Sequence, residues 1–185
     1  MELKASPRAG NNKTSSKVIR REGNIPAILY AQGKEGENIA VGAIEFKKIL
    51  NKIVPGTLST TIFHLDLGGK KRKAVLKEIQ YNITTYDVSH LDFIELIDNV
   101  PVELKVPIQC TNVMDCVGVK LGGSVRQVVR TVKVRCLPKD IPAAFEVDVR
   151  DMNVGQEKKL SEIAMPHGVQ PLMDTNTVAV AIAKK

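Results

Sequence analysis

Apolar residues recur along this 185-residue chain with two different periods, and the switches between them mark out its elements. Pro26, Ala27, Ile28, Leu29 and Tyr30 form a short apolar run that predicts a buried strand. Asn38, Ile39, Ala40 and Val41 predict its hairpin partner across a turn at residues 33–36. Ile44, Phe46, Ile49, Leu50 and Ile53 then recur at helical spacing between Gly42 and the Pro55-Gly56 stop, which predicts one amphipathic helix over residues 43–53. From Ser59 the period becomes two. Thr61, Phe63, Leu65 and Leu67 share one face, Gly68-Gly69 turns the chain, and residues 73–79 return as the second strand of a hairpin. Residues 88–94 predict a further strand with Leu91 and Phe93 on one face, and with His90 and Asp92 on the other because side chains alternate.

The second half has no comparable helical stretch. Val100, Val102, Leu104, Val106 and Ile108 alternate with Pro101, Glu103, Lys105 and Pro107, which reads as an edge strand because proline cannot donate to a sheet ladder. Strands are also predicted over residues 125–136, 144–149 and 177–183, punctuated by Gly122-Gly123, Leu137-Pro138 and Ile141-Pro142. The chain is long enough for two small domains, and the pattern changes at Asp98-Asn99. The reading is therefore a mainly β chain, with a first domain over residues 1–97 and an all-β second domain over residues 98–185.

Charge separates the halves further. Residues 1–97 carry 15 Lys and Arg against 10 Asp and Glu, whereas residues 98–185 carry 12 against 10. The first-half excess arises in the opening 34 residues, where Lys4, Arg8, Lys13, Lys17, Arg20, Arg21 and Lys34 face only Glu2 and Glu22. Residues 7–24 read as an exposed loop with a short helical turn, anchored by Val18 and Ile19. Cations spaced by Ser, Asn and Gly can follow a phosphate backbone, so this segment is the candidate electrostatic footprint; the plainer alternative is a solvated tail.

Other constellations are weaker. Lys70, Lys71, Arg72 and Lys73 fall on the predicted hairpin turn, where a charge run is ordinarily a solvated tip. His90 and Asp92 can hydrogen-bond base edges or ribose hydroxyls, or form a catalytic dyad, or simply pair on the surface. No G-x-S-x-G, Walker loop, H-E-x-x-H or dinucleotide fingerprint accompanies them. Gly122-Gly123 reads as a turn or bulge, and His64 and His167 are isolated. Cys110, Cys116 and Cys136 form an odd set without C-x-x-C or zinc spacing, so neither a disulfide framework, nor a metal, nor any cofactor is expected. A cytoplasmic chain without membrane spans or a small-molecule substrate follows from this reading. With 4 Phe, 3 Tyr and no Trp, a multi-base stacking platform has little support, and a folded, helical RNA read through phosphates and its shallow minor groove fits better.

The run Ser16-Lys17-Val18-Ile19-Arg20-Arg21-Glu22-Gly23-Asn24-Ile25-Pro26-Ala27-Ile28-Leu29-Tyr30, then Gln80, then His90-Leu91-Asp92-Phe93, resembles the bacterial large-subunit ribosomal protein twenty-five family. Val119-Lys120-Leu121-Gly122-Gly123, Cys136-Leu137-Pro138, Ile141-Pro142, Asp148-Val149 and Val154-Gly155 resemble the second domain of its long form, the general stress protein Ctc family. The resemblance spans nearly the whole chain. It implies a closed N-terminal β-barrel with a few short helices that binds 5S ribosomal RNA, followed by a β-rich domain among neighbouring large-subunit components. By matching position it implies RNA contacts from Arg8, Lys13, Ser16, Lys17, Arg20 and Tyr30, joined by Gln80, His90 and Asp92, and no catalytic residue. Three positions depart from the family pattern: Val18 replaces a frequent arginine, Ala31 a frequent glycine, and Tyr81-Asn82-Ile83 a basic stretch ending in His-Pro. The rival readings are a protein-binding adaptor acting through residues 98–185 and, more remotely, a hydrolase built on His90 and Asp92.

Overall fold

The structure, a computed structural model, describes residues 1–8, 13–31 and 35–184; the Lys13 side chain, Lys34 and the first part of the turn expected at residues 33–36 lie outside the described residues. The chain divides into two units, Met1–Val100 and Pro101–Lys185, a few residues beyond the change of pattern at Asp98-Asn99.

In the first unit, β1 (Glu2–Pro7), β2 (Asn24–Tyr30), β3 (Glu37–Gly42), β4 (Ile62–Leu67), β5 (Lys70–Tyr81) and β6 (Val88–Glu95) close into a barrel of order β1-β3-β2-β6-β5-β4. The expected hairpins are present, β2 with β3 and β4 with β5. Closure depends on β1, which pairs antiparallel with β3 and parallel with β4. Only Leu3 and Ala5 of β1 point into the core, too short an alternation to stand out in the sequence. Phe63 and Phe93 meet edge to face inside the barrel with ring centroids 5.7 Å apart. Full burial of side chains of this size is worth roughly 1.5–3 kcal/mol each, so these inward positions hold the shape of the outer surface.

Among the described residues, two α-helices accompany the barrel, α1 (Lys13–Arg21) and α2 (Ala43–Leu50). Within residues 7–24, expected as a loop with one helical turn, Lys13–Arg21 form a nine-residue helix. Gly23, at φ +80°, ends it in the left-handed conformation that glycine favours, and Arg20 and Arg21 lie in its last turn where the helix dipole suits cations. In α2, Phe46 is buried and Ile49, Leu50 and Ile53 pack beside it. Ile44, expected on that face, is 71% exposed, because two residues of helix turn it about 200° away from Phe46. The helix also stops at Leu50, and Ile53 is reached through a turn in which its N–H donates to the Leu50 carbonyl at 3.3 Å.

The charge run at residues 70–73 is likewise placed differently from expectation. It lies in β5, because Gly68 and Gly69, both at positive φ, complete the turn by themselves. Lys70, Lys71 and Lys73 are exposed, as a solvated run would be, with Lys71 Nζ 2.7 Å from Glu2 at the surface, whereas the half-buried Arg72 bridges Glu37 at 2.8 Å and Glu95 at 3.8 Å.

The second unit contains β7 (Val102–Thr111), a single-turn α3 (Val117–Lys120), β8 (Gly123–Gln127), β9 (Thr131–Cys136), β10 (Phe145–Asp148), β11 (Glu157–Lys159), β12 (Gln170–Pro171) and β13 (Val178–Lys184). They form two sheets, β10-β7-β9-β12 and β11-β13-β8, over one apolar core. One expectation here holds in part, because residues 102–107 have one neighbouring strand, and one fails. β7 is an interior strand, but its neighbours divide it: β9 pairs residues 102–107 and β10 pairs residues 108–111. The Ile108 N–H points to Arg130 on the β9 side, so the nitrogen of Pro107 faces the flank where β10 has not yet begun. Residues 125–136 are two strands in different sheets. The N–H groups of Val128 and Val129 both donate to the Ala179 carbonyl, at 3.0 and 3.2 Å, which breaks the ladder at two valines that give no turn signal.

Candidate nucleic-acid interface

The inward alternation of Leu91 and Phe93 forces His90 and Asp92 outward on β6. Pairing then fixes what lies beside them. On β5, Gln80 is opposite His90 and Glu78 opposite Asp92; on β2, Ile28 is opposite Asp92; on β3, Asn38 is opposite Ile28. Arg8, just beyond β1, donates its backbone N–H to the Asn38 carbonyl at 3.0 Å and its Nη2 to the Asn38 side-chain oxygen at 3.2 Å. One outward row therefore runs from Arg8 through Asn38, Ile28 and Asp92 to Glu78, with Gln80 and His90 in the next row.

A bulge in β5 between Leu76 and Glu78 gives Lys77 an outward direction that strict alternation would not supply. Its ammonium sits 5.5 Å from the centre of the Tyr30 ring, a cation–π distance, and so joins Tyr30 to the same face.

Helix α1 borders the face and contributes most of its positive charge. Ser16 Oγ accepts from Arg8 Nη1 at 3.5 Å, and Arg20 Nε donates to the Ser89 carbonyl at 3.0 Å. These contacts hold a helix whose only apolar anchors are Val18, which is exposed, and Ile19, which is half-buried. Lys17, Arg20 and Arg21 are exposed. Burial, and then the nearby Arg20, push the Arg8 guanidinium below the usual arginine range, and its buried Nε has no hydrogen-bond partner among the described residues. Two cations are thus held close together with no carboxylate in contact among the described residues, an arrangement that an anion would relieve.

Away from α1 the chemistry changes. His90 Nδ1 lies 2.6 Å from Asp92 Oδ1, both part-buried, and Glu78 adds a second carboxylate. Carboxylates repel phosphate but accept from amino groups and hydroxyls. The surface therefore offers cations at its border and hydrogen-bonding groups at its centre, which is the division between positioning on a backbone and reading base edges or 2′-hydroxyls.

The structure brings together Arg8, Ser16, Arg20, Tyr30, Gln80, His90 and Asp92, with Lys17 on the exposed side of α1; the Lys13 side chain lies outside the described residues. Asn38, Lys77 and Glu78 belong to the same face and were missed. Asn38 had a signal, a polar residue opening an apolar strand, whereas Lys77 depends on a bulge without one. Of the family departures, Val18 is exposed, Ala31 is buried, and Tyr81 and Ile83 are exposed. His64 is half-buried on β4, His167 is exposed, and Cys110, Cys116 and Cys136 are free thiols.

Two family models match the chain: the Ribosomal L25p family over residues 3–93 and the C-terminal domain of ribosomal protein TL5 over residues 101–185. Similar proteins include the large ribosomal subunit protein bL25 of Chlamydia pneumoniae and that of Chlamydia trachomatis serovar L2, each 48% identical over 185 residues and covering all of both chains. The corresponding protein of Chlamydia caviae is 46% identical over the same span.

Proposed function

The chain belongs to the bL25 family of large ribosomal subunit proteins, with both the L25p and the TL5 C-terminal regions, and we propose that its first unit binds 5S ribosomal RNA through the outward face of β2, β6 and β5 together with α1. As a member of that family it is a structural, non-enzymatic constituent of the large subunit and works on the ribosome in the cytoplasm. The observation that carries the RNA reading is the continuity of two chemistries on one surface: α1 cations beside a patch of amide, imidazole and carboxylate groups.

In this reading Arg8, Lys13, Lys17 and Arg20 neutralise phosphates, with Ser16 and Tyr30 supporting the border. Gln80, His90 and Asp92 meet base edges or 2′-hydroxyls across the shallow minor groove of a helical, irregularly paired region. Asn38 and Lys77 extend the same contact. The second unit rests against neighbouring components of the large subunit.

The test is ribose and base footprinting of refolded 5S ribosomal RNA with the full-length protein. Protection of one continuous helical region, lost in a His90→Ala, Gln80→Ala double variant, supports the assignment. Protection that is scattered, or unchanged in the variant, contradicts it.

A further inference from the structure

Beside this face, α1, α2 and the β5–β6 connection enclose a cavity of about 360 Å³. Its floor is apolar, formed by Ile25, Phe46, Leu50 and Val88, and its rim carries Arg20, Lys47, Asn24, Asp87, Tyr81 and Tyr86. Of these, only Arg20 takes part in the contacts assigned above.

Tyr86 is 80% exposed at φ +56°, a left-handed backbone that few bulky residues adopt. The turn is closed by its backbone, with the Asn82 N–H donating to Asp87 at 2.8 Å and the Tyr86 N–H donating to Asn82 at 2.9 Å. Glycine would satisfy that geometry without strain, so the tyrosine ring is not what the turn requires. Tyr81, 47% exposed, is the second ring at the rim. Among the described residues Arg20 is anchored through Nε, and its terminal nitrogens are placed to face a ligand. Two cations against one carboxylate favour an anionic occupant, and the volume sits at the small end of the range for ligand pockets.

We propose that this cavity takes one unstacked ribonucleotide of the bound RNA. Its base lies against Tyr81 and Tyr86 above the apolar floor, and its phosphate meets Arg20 and Lys47. Asn24 and Asp87 address the base edge, and Asp87 favours a base that presents N–H donors. The inference rests on the RNA-binding reading, because Arg20 belongs to both surfaces.

Two measurements on the full chain test it. In the first, the four ribonucleoside 5′-monophosphates and inorganic phosphate are titrated into isotopically labelled protein. At least one nucleotide should shift the amides of Asn24 and residues 82–87 with a Kd of about 1–10 mM, and Tyr86→Gly, which keeps the turn, should abolish the shifts. Silence with all four nucleotides, or the same shifts with phosphate alone, overturns the site. In the second, a Tyr81→Ala, Tyr86→Gly double variant should bind 5S ribosomal RNA about tenfold more weakly, the effect of losing one base–aromatic stack, with an unchanged salt slope; Tyr81→Phe should retain wild-type affinity. If His90→Ala weakens RNA binding and the tyrosine variant does not, the cavity proposal fails while the RNA reading stands. If the wild type shows no preference for 5S ribosomal RNA but nucleotides still shift the cavity amides, the site stands and the RNA reading falls.

Discussion

On the outward face of β6, Nδ1 of His90 lies 2.6 Å from Oδ1 of Asp92. An ionised carboxylate can only accept, so Nδ1 is the donor of this pair and Nε2 is left to meet a ribose hydroxyl or a base edge. Asp92→Asn nearly preserves shape but can donate to Nδ1 and reverse the tautomer. It should weaken RNA binding about tenfold, or about 1.4 kcal/mol, as should His90→Ala. The double variant should lose little more than either single change, because the two residues act as a unit. Fully additive losses in a double-mutant cycle would show that they act separately.

Arg8 tests the border of the face. Its guanidinium reaches Ser16 and Asn38 with separate nitrogens while its buried Nε has no partner among the described residues. Arg8→Lys keeps the charge but loses the planar fork, so RNA affinity should fall about tenfold, while the melting temperature of the free protein stays the same or rises. A large loss of stability without loss of affinity would make Arg8 a purely structural residue.

Salt dependence tests the role of α1. With about five phosphates neutralised at about −0.9 each, log affinity should fall against log salt with a slope of about −4 to −5. Lys17→Ala should make the slope shallower by about one unit and weaken binding to all RNAs alike. A flat response in the wild type would remove the electrostatic footprint.

In the second unit, Asp148 accepts from Arg150 Nη2 at 2.7 Å, Nε at 2.9 Å and the backbone N–H at 3.0 Å, which holds its carboxyl well below the usual carboxylate range. Folding lowers this pKa, so its stabilising contribution is complete above the usual range and is lost as pH falls through the depressed folded value. Asp148→Asn should therefore be less stable than wild type at pH 7, and the gap should close in strong acid. Denaturation across pH reads this directly, and a constant gap would contradict the linkage.

Gly123 is fixed by packing. A Cβ there would lie 2.7 Å from the Gly118 carbonyl oxygen and 3.0 Å from Ile182 Cγ2. Gly123→Ala should destabilise the second unit by about 1–3 kcal/mol, lowering its melting temperature by roughly 4–8 °C per kcal/mol, with RNA affinity unchanged. A calorimetric transition at the wild-type temperature would show that the carbonyl yields freely.

The sequence carried the features that reside in local alternation and punctuation. Leu91 and Phe93 inward place His90 and Asp92 outward by period alone, and Gly68-Gly69 locates the β4–β5 turn. Features set by tertiary pairing were hidden. β1 has two inward residues and gains its place only by closing the barrel. α1 has only Val18 and Ile19 as apolar residues, and contacts from Arg8 and from the distant Ser89 hold it in place. The Lys77 bulge and the crossing at Val128 and Val129 arise from hydrogen bonds that no residue type announces. Gly122-Gly123 was half legible: Gly122 supplies the turn at φ +88°, but the close approach of Gly118 to Gly123 appears only in the folded chain.

The central claim is selective recognition of 5S ribosomal RNA, and competition binding of the full chain tests it most directly. Refolded 5S ribosomal RNA and transfer RNA should be compared at one near-physiological salt concentration, where non-specific contacts to phosphate are common to both. A preference of about a hundredfold or more for 5S ribosomal RNA, or about 2.7 kcal/mol, is expected. Equal affinity for the two RNAs would reduce the interface to a generic polycation and contradict the claim.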